Sequence, residues 1–262
     1  MARTRAGLVH VLAGVVITLA CLVFSSACKG EPPAHELFLG VAASLRQVMP
    51  ELVRDYEKTH PAVQIRATYG ASGDLQRQVE GGAPLDGVLF ASSQPVDALL
   101  SKGLARPETR RVIATNTLVL IGPVGGPPIK LATLKDLPAG ERLALGEPGA
   151  VPAGQYAKEA LVRLGMWEAL QGRLVFGGDV AAVLAYARRG EVVAAFVYRS
   201  ELRGVGDVVE LDEVAPSLMS RVEVVAAAVR GAKSSKETAE FLEFLSTPAA
   251  QQKLREFGFG GI

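Results

Sequence analysis

Near four points along the chain, Ser44, Ser72, Ala153 and Val180, small or hydroxyl residues coincide with the expected starts of helices. The first N–H groups of a helix have no partner inside it, and the helix start carries a partial positive charge. Several such starts converging on one point would hold an anion without any lysine or arginine. Taken singly, each has a plainer reading, because Ser44 and Ser72 would serve equally well as ordinary helix caps.

Residues for covalent or acid–base chemistry do not assemble into a comparable pattern. Beyond residue 28 the only histidines are His35 and His60. Gly70-Ala-Ser-Gly-Asp74 departs from a nucleophile elbow at its last position. The loop from Gly122 to Pro128 lacks the Gly-Lys-Ser/Thr ending of a phosphate-binding loop. Metal-ligand spacing is also missing, so the expectation is a protein that is not an enzyme and needs no cofactor. A net charge of +1 gives no reason to expect nucleic acid as a partner.

The elements that would carry these positions follow an α/β rhythm, with 49% hydrophobic residues in 262. Strands are predicted over residues 36–42, 62–69, 87–91, 117–121, 192–198 and 221–229. Ser44 is predicted to open a helix with Leu45, Val48, Leu52 and Tyr56 on one face, which Pro50 must kink or restart. Ser72 begins the next helix. Val151 to Tyr156 leads into another, and Asp179 is placed to cap the helix that starts at Val180. Ser234 with Glu237 reads as a capping box, and Thr247-Pro248 as the start of a last helix.

The N-terminus has its own pattern. Arg3 and Arg5 precede an apolar run from Gly7 to Phe24, and Ser25, Ser26 and Ala27 follow. This is the layout of a secretory signal over residues 1–27, with a membrane anchor as the competing reading. Cys21 and Cys28 are the two cysteines, so a chain cut after residue 27 has no intramolecular disulfide. Cys28 follows Ser-Ser-Ala in a setting like a lipobox, with Ser25 where leucine is usual. Lipidation of Cys28 is therefore expected, followed by a leader over residues 28–35. The product would be periplasmic and held at the membrane by its lipid; the alternative, since Ser-Ser-Ala also suits ordinary signal peptidase, is a soluble protein with a free N-terminal cysteine.

From residue 36 onwards the chain resembles the molybdate-binding proteins of ABC importers. The resemblance rests on Val41-Ala-Ala-Ser-Leu45, the stretch from Leu75 to Asp86, Val151-Pro-Ala-Gly-Gln-Tyr-Ala-Lys158, Phe196-Val-Tyr198 and Glu256-Phe-Gly-Phe259. It implies the α/β type II periplasmic-binding fold: two lobes with mainly parallel sheets and a hinge crossed twice. One lobe would hold residues 36–114 and 214–262, the other residues 115–213. It also implies that a tetrahedral oxyanion, molybdate or tungstate, is held by the hydroxyls of Ser44, Ser72 and Tyr198 and by backbone N–H groups at Ala153 and Val180. No side chain would ligate the metal directly. The partners implied are an ABC permease and its ATPase, with the binding protein itself a monomer. A receptor for sulfate or phosphate is the alternative. Asp74, in the first turn after Ser72, would either support its helix or face the anion.

Overall fold

A computed structural model describes residues 35–262. The expected signal, the lipidated Cys28 and nearly all of the leader lie outside the described residues.

Strand β1 (His35–Ala42) turns Leu37, Leu39 and Val41 to one face, where they pack with Tyr56 and Phe241. Strands β2 (Val63–Gly70) and β3 (Gly87–Phe90) flank it in parallel. Strand β4 (Arg111–Thr115) forms the far edge, joined through β10 (Glu223–Ala228), which runs antiparallel to both β3 and β4. The order is β2-β1-β3-β10-β4. The period-two pattern is visible in β10: Val224 and Ala226 share the core of Leu37, while Val225 and Ala227 join Phe90 on the other face.

The second sheet contains β5 (Leu118–Pro123), β6 (Leu143–Gly146), β7 (Leu174–Gly177), β8 (Ala194–Tyr198) and β9 (Val208–Glu213). Its order, β7-β6-β8-β5-β9, repeats that of the first, with β5 as the reversed strand. The molecule is thus the two-lobed α/β fold, but its sheets are mixed rather than mainly parallel. Each has two parallel and two antiparallel pairings. The cause is topological. The reversed strand is in each case the first one entered from the other sheet, so no crossover helix constrains its direction. The chain passes across through Asn116 and Thr117 and returns through residues 214–222.

The helices are α1 (Met49–Thr59), α2 (Ser72–Glu80), α3 (Ser93–Ser101), α4 (Pro152–Arg163), α5 (Trp167–Leu170), α6 (Val180–Arg188), α7 (Ser235–Phe244) and α8 (Pro248–Glu256). Two local expectations are corrected. Ser44 lies in a single 3-10 turn, Ala43–Leu45, and the α-helix starts afresh at Met49 with Pro50 in its first turn. Proline has no N–H to give a preceding turn and is tolerated at a helix start, so the restart falls there. Ser234 makes no capping bond; its hydroxyl donates instead to Glu36 O at 3.2 Å. Asp179 and Thr247 do cap α6 and α8, accepting from Ala182 N at 2.8 Å and Ala250 N at 3.4 Å. No helix among the described residues is long and apolar enough to cross a membrane.

Candidate anion-binding site

The carboxyl ends of the parallel strands in both sheets meet at one cavity. From the first sheet come the residues after β1, β2 and β3: Ser44, Ser72 and Ala91. From the second come Ala153 after β6, Val180 after β7, and Tyr198, which ends β8. Open α/β sheets bind ligands at this end, because loops and helix starts leave their polar groups there. The structure therefore brings Ser44, Ser72, Ala153, Val180 and Tyr198 together around a single cavity. Its free space, about 10 Å³, is small, on the order of what one water molecule needs.

Each position is fixed locally. Val151 is extended, Pro152 sets the first turn of α4, and Ala153 follows with an N–H that the helix cannot satisfy. The donors after it are used, since Gly154 and Gln155 bond Val151 O at 2.9 and 3.1 Å. Gly154 allows this start to sit against β6: a Cβ there would lie 1.8 Å from Gly146 O. In α6 the Ala182 N–H is held by Asp179 Oδ1, and Val180, the first residue of the helix, lines the cavity.

Ala91 links the two walls. Its N–H donates to Ser72 Oγ at 3.1 Å, and its carbonyl accepts from the Tyr198 hydroxyl at 3.4 Å. Because Ser72 Oγ is already an acceptor, its own hydrogen is left for another group. Tyr198 is fully buried, and that desolvation pushes its hydroxyl far above the ordinary tyrosine range, so it remains a donor. Ser44 Oγ is buried with no hydrogen-bond partner among the described residues. A buried hydroxyl left unpaired costs about 1–3 kcal/mol, which a ligand acceptor would recover.

None of the residues lining the cavity is lysine or arginine; one, Asp179, is acidic. Behind it, in the turn after β8, Glu201 is buried with Oε1 unpartnered. Burial first, and the nearby Asp179 second, push its carboxyl up to about 8, against a smaller opposing effect of Arg46. Glu201 is thus mostly protonated at neutral pH. Asp74 is not part of the lining: its exposed carboxylate pairs with Arg77 one turn along α2. Sequence reasoning missed Ala91 and the placement of Asp179. Ala91 carries no signal in its type, whereas Asp179 adjoins Val180 and could have been suspected from that. Among the described residues no cluster of three or more His, Cys, Asp or Glu could hold a metal ion.

Two α/β lobes facing each other across a small cavity, joined by two chain crossings, define the class of solute-binding proteins. The comparisons agree. The model of the bacterial extracellular solute-binding proteins matches residues 37–260, and the chain belongs to that family. It is 32% identical to the molybdate-binding protein ModA of Haemophilus influenzae over 226 residues, covering 83% of this chain and 87% of that one. With ModA of Escherichia coli it shares 31% over 254 residues, 92% and 95% of the two chains. The periplasmic molybdate-binding protein of Azotobacter vinelandii has the same fold, with a TM-score of 0.76 at 18% identity over 85% of this chain and 98% of that one.

Proposed function

We propose that the chain captures molybdate or tungstate in this cavity and presents it to an ABC permease and its ATPase, catalysing no reaction itself. The observation that carries the reading is the donor set. Ser44, Ser72, Ala153, Val180 and Tyr198 line one small cavity, and the buried Ser44 hydroxyl lacks a hydrogen-bond partner among the described residues. Molybdate and tungstate carry no proton at neutral pH, so a site of neutral donors matches all their oxygens. The curated relatives named as molybdate-binding support the same choice. The apolar N-terminal run and the setting of Cys28 support export and a lipid anchor.

Asp179 favours a second reading. A carboxylate on the cavity wall could accept the proton that phosphate keeps at neutral pH, which would make the ligand phosphate. Calorimetric titration of the chain from residue 28 with molybdate, tungstate, sulfate and phosphate separates the two. Tight binding of molybdate and tungstate with weak phosphate is the expected result. Tight phosphate with no response to either metal oxyanion would overturn the proposal.

A further inference from the structure

Ser72 and Ala153 lie on opposite sides of the cavity, and one residue along from the first and three before the second the two sides touch. The Gly73 N–H, in the first turn of α2, donates to Ala150 O at 3.0 Å. This bond is made between protein groups alone. It joins the helix start that carries Ser72 to the loop that leads into Ala153. No side chain could occupy that place. A Cβ built on Gly73 would lie 2.9 Å from both the Cα and the carbonyl oxygen of Ala150. These are backbone atoms, so no rotamer change relieves the overlap, and only separation of the two sides would.

The contact also has a definite position. On its inner side is the anion cavity. On its outer side is a larger cavity whose lining includes Gly73, Gln76 and Gln94 from one wall and Ala150, Gln155 and Trp167 from the other. The Gly73–Ala150 contact thus lies beside Val151 and Pro152, which line both the anion cavity and this larger vestibule. Gly73 is the second residue of α2, and nothing in the dihedrals there demands glycine. Contact across the cleft is what does.

We infer that Gly73 is a positioning residue for ligand capture: its bare backbone lets the two lobes close, and its N–H holds them closed over the bound ion. The inference rests on the oxyanion reading for the identity of the ligand, but not for the closing contact itself. Only the closed arrangement brings the donors of both walls to one ion, so apparent affinity scales with the fraction of molecules that can close.

Gly73→Ala tests this directly. Alanine suits a helix, so circular dichroism and melting should show a folded protein whose stability falls by no more than the lost Gly73–Ala150 contact. Molybdate affinity should fall roughly tenfold or more by calorimetry, because the closed fraction falls. In the ligand-free variant, small-angle scattering should give a larger radius of gyration. Trp167, the sole tryptophan, lines the vestibule and should become more accessible to acrylamide. Gly172→Ala is the control, since a Cβ there meets nothing within 4 Å. It should match the wild type in every measurement. Affinity within about twofold of the wild type would overturn the inference. So would weaker binding without any change in compactness or quenching, which would mean a merely local disturbance of Ser72. If the wild type binds none of the four oxyanions, the ligand reading fails separately. Scattering and quenching of the free chains then decide: a wider Gly73→Ala supports the latch, and identical free chains overturn it.

Discussion

The two walls of the cavity supply donors by different means. The first sheet places the hydroxyl residues Ser44 and Ser72 on the cavity wall, whereas the second places the helix starts at Ala153 and Val180 and the phenol residue Tyr198 there. Their carboxylates differ as well. Asp74, in the first turn of α2, turns outward to Arg77. Asp179 caps α6 and stays on the cavity wall, with Glu201 buried behind it. Neither wall carries a lysine or arginine at the cavity, and only the second carries acid groups that a bound anion would sense. Holding and tuning are divided between the walls.

The largest expected effect comes from Glu201. Its carboxyl sits at about 8 in the folded chain against an ordinary 4.5, so between those values the folded state keeps a proton that the unfolded state has released. Stability should then fall as pH rises through that window and level off above it, by about 1.4 kcal/mol per pH unit at most and a few kcal/mol in total. Glu201→Gln removes the ionisation while keeping the shape, and should flatten the slope and raise stability in mild alkali. Denaturant unfolding of both proteins across this range reads the effect. Parallel pH profiles would show that the second wall holds no such buried acid.

Next in size is the loss of one donor from either wall. Ser72→Ala and Val180→Pro should each weaken oxyanion binding about ten- to a hundredfold, the cost of a hydrogen bond to a charged group. They should differ in the free protein. Ser72→Ala also strands the buried Ala91 N–H, so it lowers the melting temperature. Val180→Pro removes an N–H at a first helical position, after an extended Asp179 (φ −152°, ψ 176°) that suits a following proline, and also replaces a buried core side chain. Any fall in its melting temperature reports that packing change, since no buried donor is stranded. If Val180→Pro binds oxyanion as tightly as the wild type, the backbone half of the comparison is wrong.

This asymmetry explains what could be read in the residues. Hydroxyls are visible by type, and Ser44 and Ser72 were suspects from their positions alone. Any residue but proline offers a backbone N–H, so Ala153 and Val180 stood out only as helix starts, and their meeting at one point rested on the family resemblance. In the fold, β-branched and leucine-rich runs such as Leu37 to Val41 and Val224 to Ala228 announced their strands. Leu143–Gly146 and Leu174–Gly177 escaped notice, as did Arg111–Thr115 and the charged Val208–Glu213, because none shows a clean apolar alternation or run set off by turn residues. Ser234 looked like a cap but gave its hydroxyl to Glu36 O, a partner 198 residues away that no local pattern contains.

The smallest effects are the sharpest test of how the two acids differ. Asn caps a helix as well as Asp does, so Asp179→Asn should leave the melting temperature nearly unchanged. It should nevertheless tighten molybdate several-fold, because a carboxylate within a few ångströms of a dianion is repulsive even at an effective dielectric of about 20. Asp74→Asn breaks only an exposed pair and weakens support for the helix start, which contributes roughly 0.3–1 kcal/mol at the surface, so oxyanion affinity should not move. Calorimetry on the two variants side by side reads the contrast. Equal responses would erase the distinction between an acid on the cavity wall and one turned away from it. A wild type that binds phosphate tightly, and loses it in Asp179→Asn while Asp74→Asn keeps it, would retain the distinction but reverse its meaning. Asp179 would then be the acceptor for a phosphate proton, and the ligand would be phosphate rather than molybdate.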